Sequence, residues 1–107
     1  MDDPYADKMS RLAQRILWGP GSLASTVRQA AASLDDIPEA LRSYVQKTAQ
    51  CAYKITDQDV QALGQAGYSE DQIFELTVSA ALGAGLVRLQ AGQDALRKGE
   101  HDAITHP

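Results

Sequence analysis

Few side chains in this 107-residue sequence are of a type that carries out chemistry, and the most reactive of them is its single cysteine, Cys51. Lys54 follows three residues later, and a nearby ammonium group favours the nucleophilic thiolate form of a cysteine. A single-cysteine peroxidase could therefore use Cys51 as its nucleophile, with a thiol from another molecule resolving the oxidised product. The alternative interpretation is a small hydrophobic residue of the core, which is the most common role of a free cysteine.

Arg88 is a second candidate, because it places a permanent positive charge in a stretch of alanine, glycine and leucine. One interpretation is a buried site for an anion, which a guanidinium group binds well. The other is an ion pair with a carboxylate such as Glu75 or Asp94, or with a carboxylate of a neighbouring subunit. Acidic residues such as Asp59 are explained by helix starts, where negative side chains interact favourably with the helix dipole.

The other potentially reactive residues form no pattern. His101 and His106 fall in a polar C-terminal segment, where they cannot hold a rigid geometry. No set of His, Cys, Asp or Glu residues recurs at the spacing of metal ligands. We therefore expect neither a metal nor a cofactor.

Composition limits the classes of partner. Ten Lys and Arg residues against fourteen Asp and Glu residues give a net charge of -4, without the basic cluster that a nucleic-acid backbone requires. Asp2 and Asp3 stand where a signal peptide would be basic, and the longest apolar stretch is shorter than a membrane span. We expect a soluble, cytoplasmic protein that binds neither nucleic acid nor membranes.

Apolar residues recur every three or four positions along almost the whole chain, which predicts an all-α fold. A single domain over residues 1–98 is expected, followed by a flexible C-terminal tail over residues 99–107. The first four helices are predicted from Pro4 to Trp18, from the N-cap Ser22 to about Ser33, from a capping box of Asp36 and Glu39 through Ile55, and from Thr56 to the left-handed C-cap Gly67.

A capping box of Ser69 and Gln72 starts the fifth and longest helix, which is predicted to continue to about Leu96. At ~1.5 Å per residue this helix would span roughly 42 Å, whereas a compact domain of this length is only about 34 Å across. The helix must therefore either bend, at Gly83 or Gly85, or project from the domain.

Small residues recur at helical spacing along this fifth helix, Ser79 with Gly83 and Ala81 with Gly85. Side chains of this size allow the backbone of another helix to approach closely. A projecting apolar helix needs a partner chain, so we expect a homo-oligomer formed through the helix that contains Ala81, Gly85 and Val87.

The start of the fifth helix also carries a family resemblance. The segment from Ala66 to Leu76, AGYSEDQIFEL, with the Ala/Gly-rich helix that continues through Leu86, resembles the AhpD-like family, which includes carboxymuconolactone decarboxylase. The resemblance covers residues 38–96. It implies an AhpD-like helical bundle of about five helices, in which the long C-terminal Ala/Gly-rich helix packs at a subunit interface.

Active members of that family carry a Cys-x-x-Cys pair and then a histidine on the helix before the Ala-Gly step, and these groups perform their peroxidase chemistry. Counted back from that step, the corresponding positions are Ala52, Ile55 and Asp59, so none of the three is retained. The upstream glutamate position falls near Ala40, with Glu39 one residue away. The resemblance thus includes the scaffold and leaves out the redox pair.

A scaffold without that pair favours a non-catalytic, oligomeric structural or interaction module, with a small-molecule ligand possible in the former active-site region. Tyr53 lies between the two former cysteine positions and is one pocket candidate; Trp18 is another, although it could instead fill the core. Two enzymatic alternatives stay open. One is a lyase similar to carboxymuconolactone decarboxylase, with Arg88 or Arg42 binding the substrate anion beside Asp59 as base. The other is the single-cysteine peroxidase.

Overall fold

The computed structural model describes the backbone of residues 4–105 and the side chains of residues 7–99. This part of the chain is all-α and contains no strand, which confirms the predicted class. Its five α-helices are α1 (Pro4–Trp18), α2 (Ser25–Ser33), α3 (Glu39–Gln50), α4 (Asp57–Gln65) and α5 (Glu70–Thr105), with a 3-10 turn at Ala52–Lys54 between α3 and α4.

The core lies where α2 and α3 pack against the N-terminal half of α5. Leu41 and Val45 of α3 are fully buried, and they belong to one cluster with Leu76 and Ala80 of α5. Each pair is four residues apart, so it forms one face of its helix. Helix α1 packs beside this core, against α2 and α5. Short helices such as α2 are stable because of this packing rather than through their intrinsic propensity.

Gly83 sets how closely α2 approaches α5. A Cβ atom at residue 83 would overlap the backbone carbonyl of Ala32, whose Cα would be only 2.6 Å away. One turn earlier, Ser79 is completely buried and donates a hydrogen bond of 2.7 Å to the carbonyl of Glu75. Of the Ser79 and Gly83 pair that was predicted to admit another helix, Gly83 therefore admits α2 of the same chain, and Ser79 is buried one turn away.

Local capping signals predicted the helix starts of the second half of the chain correctly. In α5, Gln72 N–H donates to Ser69 Oγ at 3.1 Å, and Ser69 N–H donates to Gln72 Oε1 at 2.9 Å. Thr56 caps α4 in the same reciprocal way with Asp59. Gly67 has a φ of 102°, as the predicted left-handed position between α4 and α5 requires.

The predicted helix starts of α2 and α3 are wrong. Helix α2 begins at Ser25 after Ala24, and Ser22 donates its backbone N–H to Glu75 instead of capping a helix. Helix α3 begins after Pro38, which provides no side-chain cap, and Asp36 has a left-handed φ of 54°. An N-cap residue needs a non-helical, typically extended backbone, so Asp36 cannot form the predicted capping box.

The far end of α3 also differs from the prediction. The helix ends at Gln50, because Cys51 leaves the helical region with φ -146° and ψ 55°. Ala52 and Ile55 therefore do not continue its buried face: Ala52 is exposed in the 3-10 turn, and Ile55 packs on the core from the loop.

Helix α5 is a continuous helix of 36 residues that projects from the bundle. Of the two predicted outcomes, the chain adopts projection: its longest dimension is 61 Å, and its radius of gyration is 16.9 Å, against about 13 Å for a compact domain of this length. The predicted end near Leu96 is wrong, since the backbone stays helical through Thr105 and includes His101. Four of the nine residues after Leu96 in this helix, Arg97, Lys98, Glu100 and Ala103, are strong helix formers. His106 lies outside the described residues.

By length and composition alone, α5 could cross a membrane over Glu70–Gly99. This corrects the expectation that no apolar stretch is long enough. Only 28% of the most apolar part of this helix is buried inside the protein. Core helices of soluble proteins meet the same criterion, and the inner face of α5 is such a core.

Candidate interaction surface

A buried arginine holds the loop that follows α1. Arg28 of α2 is only 4% exposed. Its Nε donates to the carbonyl of Leu23 at 3.0 Å, and its Nη1 and Nη2 donate to the carbonyls of Ile16 and Gly19, both at 2.5 Å. These carbonyls lie at or beyond the C-terminal end of α1, where the helix dipole favours a positive charge. The buried arginine of this protein is therefore Arg28, whereas Arg88 is exposed.

Two side chains of α5 attach the same loop to the long helix. The Glu75 carboxylate accepts the backbone N–H groups of Ser22 at 3.0 Å and of Leu23 at 3.3 Å. Gln72 donates its side-chain amide to the Ser22 carbonyl at 3.2 Å. A Cβ atom at Gly21 would overlap the Glu75 carboxylate. Together these contacts fix the end of α1 relative to the first turns of α5.

A groove of about 190 Å³ lies between the attached loop and α5. One wall comes from α1 and its loop and the other from α5, and Phe74 is 69% exposed there. The lining is mostly apolar and includes three charged residues. The lining residues are Arg15, Ile16, Pro20, Arg28, Phe74, Glu75 and Val78.

The side of α5 that points away from the bundle is apolar and uncharged over residues 74–96. We call this side the outer face; at spacings of three and four residues it consists of Phe74, Val78, Ala81, Gly85, Leu89, Gly92 and Leu96. Val78 is half-buried beside the groove, and the other six are exposed. Exposure reaches 70% at Leu96. A surface helix normally carries polar residues on this side, so the outer face is an exposed apolar surface of the kind that marks interaction sites.

Val87 does not belong to the outer face. It is 68% exposed, but two residues correspond to a rotation of about 200° around the helix. Val87 therefore points away from Gly85, on the side where the bundle has already ended. One partner helix that covers Ala81 and Gly85 cannot also cover Val87.

Asp59, the predicted base of a lyase, is engaged at the start of α4. Its carboxylate accepts the Thr56 backbone N–H at 2.9 Å and pairs with Lys47 Nζ at 3.0 Å. The pKa of Asp59 lies below the ordinary carboxyl value. The largest cause is the hydrogen bond from the Thr56 N–H, and the next is the Lys47 ammonium group. A general base that acts near neutral pH needs the opposite shift.

The predicted anion-binding arginines are engaged with other groups. Arg88 Nη2 donates to the carbonyl of Ala49 at 2.8 Å, at the end of α3. Arg42 lies 3.4 Å from Glu39 in an exposed ion pair. Cys51 is half-buried at the C-cap of α3, two residues beyond the carbonyl that Arg88 binds. The catalytic roles of Arg88, Asp59 and Cys51 stay predictions.

The two aromatic pocket candidates are exposed. Trp18 is 62% exposed and Tyr53 is 84% exposed, so Trp18 does not fill the core. Neither residue lines the groove beside α5 or a second, wider groove between α2 and the loop that follows it. Lys54 Nζ lies 6.0 Å from the centre of the Tyr53 ring, at the limit of a cation–π contact. Pocket roles for both aromatic residues stay predictions.

No family model, curated protein or solved structure matches this chain. The AhpD-like resemblance therefore stays a prediction. Two of the three positions where that family carries its redox groups have structural roles here: Ile55 packs on the core, and Asp59 completes the capping box of α4. Ala52 is exposed. Within residues 7–99, no group of three or more His, Cys, Asp or Glu side chains is arranged to hold a metal ion.

The role of Arg28 was missed by reasoning from the sequence. The only available signal was its position three residues before the buried Ala31, which places both residues on the inward side of α2. A charged residue on an inward face is ordinarily assigned to solvent unless a partner is visible. The partners of Arg28 are backbone carbonyls, which no sequence pattern marks.

Proposed function

We propose that this protein is a non-catalytic helical module that works by self-association through the outer face of α5. The outer face carries the proposal, because it is an exposed, uncharged surface that extends over residues 74–96. Contiguous apolar surfaces of this kind mark sites of interaction. The projection of α5 beyond the bundle leaves such a surface accessible to another chain.

The engagement of the reactive side chains supports the non-catalytic part of the proposal. Asp59 is paired with Lys47 and caps α4, and Arg88 binds the carbonyl of Ala49. Cys51 has no second cysteine in the sequence with which to complete a dithiol cycle. An AhpD-like scaffold without its redox pair is the family relationship that we propose, and self-association through an Ala/Gly-rich helix agrees with it.

The test is the mass of the protein in solution. We expect light scattering at micromolar concentration to give a multiple of the 11.5 kDa chain mass. Leu96→Lys should shift the mass to that of one chain, because a charge on the outer face must be desolvated when a partner binds. Val87→Lys is the matched control: it makes the same change on the same helix at nearly equal exposure, 68% against 70%.

A wild-type protein that stays monomeric at high concentration would contradict the proposal. So would equal loss of association in Leu96→Lys and Val87→Lys, because the outer face would then have no special role. The non-catalytic part fails if the purified protein turns over a hydroperoxide and Cys51→Ser abolishes the activity.

A further inference from the structure

Gly85 lies at the centre of the outer face, and no contact with the residues that the structure describes explains why it is glycine. A Cβ atom at residue 85 would meet no atom within 4 Å, unlike one at Gly83, which would overlap α2. Glycine inside a helix costs about 1 kcal/mol relative to alanine. Open space around a helical glycine leaves room for the backbone of a helix from outside the chain.

The outer face is symmetric in position about Gly85. Phe74 and Leu96 are each eleven residues from it, Val78 and Gly92 are each seven, and Ala81 and Leu89 are each four. Two copies aligned antiparallel about Gly85 therefore place each residue of a pair opposite the other. Val78 then faces Gly92, and Ala81 faces Leu89. In these two pairs a larger side chain meets a smaller one, as close packing of two helices requires.

A parallel pair in register packs less well. Leu89 would face Leu89 and Phe74 would face Phe74, while Ala81 and Gly85 between them would face their own copies. The two helices would be held apart at the large residues and leave a gap at the small ones, which loses contacts. The antiparallel arrangement also aligns the two helix dipoles favourably.

Charge favours the same arrangement. In the antiparallel register, residues 71–82 of one copy lie beside residues 88–99 of the other. The first segment carries Asp71 and Glu75, a net charge of -2. The second carries Arg88, Arg97 and Lys98 against Asp94, a net charge of +2. Opposite charges within about a Debye length of 8–10 Å attract each other at physiological salt, whereas parallel copies would place like charges side by side.

The groove beside α5 is a further feature that complements the outer face of a second copy. Its α5 wall includes Phe74 and Val78, and the antiparallel register brings Leu96 of a second copy opposite Phe74. Leu96 is 70% exposed in one copy, and an apolar groove of about 190 Å³ is large enough for one leucine side chain. Arg28 and Glu75 fix the position of the loop that forms the other wall.

From these features we infer that two copies of this chain form a two-fold symmetric, antiparallel pair of α5 helices centred on Gly85. In this dimer, Leu96 of each copy occupies the groove between the α1 loop and α5 of the other. A two-fold axis through Gly85 makes the interface self-complementary, so that it closes at two subunits. The inference rests on the proposed self-association and specifies its geometry.

Disulfide trapping in a Cys51→Ser background tests this geometry. We expect Phe74→Cys mixed with Leu96→Cys to give a cross-linked dimer under mild oxidation, in about half of the dimers if the chains exchange at random. Neither variant should cross-link alone, because identical positions lie roughly 33 Å apart along the antiparallel pair. Val87→Cys mixed with Phe74→Cys is the control and should stay uncross-linked. Val78→Cys mixed with Gly92→Cys retains Phe74 and Leu96 and should repeat the pattern.

The outcomes separate this inference from the proposed function. Cross-linking of Leu96→Cys with itself would indicate a parallel pair and overturn the inference, while self-association would stand. A dimeric mass with no cross-link in either mixture would likewise overturn only the geometry. A monomeric mass would overturn both. So would a monomer that floats with phosphatidylcholine vesicles, because the outer face would then bind lipid.

Discussion

Gly83 and Gly85 lie two residues apart on one helix. Substitution to alanine should have opposite effects at the two positions on the free energy of unfolding of the monomer. At residue 85 the new methyl group meets no atom within 4 Å, so Gly85→Ala should gain about 1 kcal/mol of helix propensity. At residue 83 the methyl group would overlap the backbone of Ala32. Backbone cannot rotate away as a flexible side chain can.

The size of the second effect follows from the same comparison. Overpacking a core by one methyl group costs about 1–3 kcal/mol, and a backbone neighbour favours the upper end of this range. After the gain of about 1 kcal/mol in propensity, Gly83→Ala should destabilise the monomer by roughly 2 kcal/mol. The two variants should therefore differ by about 3 kcal/mol in the free energy of unfolding.

Urea unfolding followed by circular dichroism measures this difference. Both substitutions should be made in a Leu96→Lys background, so that monomers are compared with monomers. In the wild-type background, Gly85→Ala should instead weaken association about tenfold or more, since about 1.4 kcal/mol corresponds to a factor of ten. Gly64→Ala on α4 is the control: its Cβ also meets no atom within 4 Å, and it should leave association unchanged.

Shifts of the urea midpoint of the monomer in the same direction for Gly83→Ala and Gly85→Ala would contradict the difference between the two glycine environments. An unchanged dissociation constant for Gly85→Ala in the wild-type background would refute the close approach of two helices at Gly85. A strong effect of Gly64→Ala on association would show that helix propensity, rather than contact, controls the oligomer.

Other contacts give further measurable expectations. Arg28→Lys should lower the free energy of unfolding by roughly 2–4 kcal/mol, because an ammonium group cannot bind three carbonyls with the geometry of a guanidinium. Urea unfolding measures this loss, and an unchanged midpoint would contradict the role of Arg28. Tyr44→Phe removes a 2.7 Å hydrogen bond to Thr77 and should cost about 1 kcal/mol, which thermal unfolding would detect. The Thr56 N–H and Lys47 hold the pKa of Asp59 low, so its stabilising effect is complete above about pH 4 and is lost as the pH falls through the lowered pKa. Urea midpoints measured against pH should therefore fall more steeply below pH 4 in the wild type than in Asp59→Asn, and parallel curves would rule out this contribution.

Local signals were sufficient where a helix start depends only on neighbouring residues. Ser69 with Gln72 predicted the start of α5, and Gly67 the turn before it, because the hydrogen bonds involved span three or four residues. Ser22 is not an N-cap, because it lies in a loop before α2 that is held by Glu75, 53 residues away in the sequence. A local capping motif competes with contacts to residues far away in the sequence, and the sequence alone does not show which of the two is more stable.

For the candidate interaction surface, too, local patterns identified some residues, and only the fold decided the role of others. The exposed small residues Ala81 and Gly85 were identified from helical spacing, whereas the equally small Ser79 and Gly83 are buried, with Gly83 against Ala32 of α2. Spacing places residues on a face but does not say which face the bundle covers. Arg88 was singled out because of its apolar neighbours, yet the arginine that the bundle buries is Arg28.

By itself, the sequence determined the helical class, the boundaries of α1 and the length problem of α5, because periodicity, end signals and rise per residue are local properties of a helix. Only the tertiary structure decided that α5 stays one continuous helix and projects, that its inner face packs against α2 and α3, and that its outer face is left exposed. These outcomes depend on which surfaces meet across long stretches of chain. The contact of Gly83 with Ala32, which marks the inner face of α5, therefore appears only in the folded molecule.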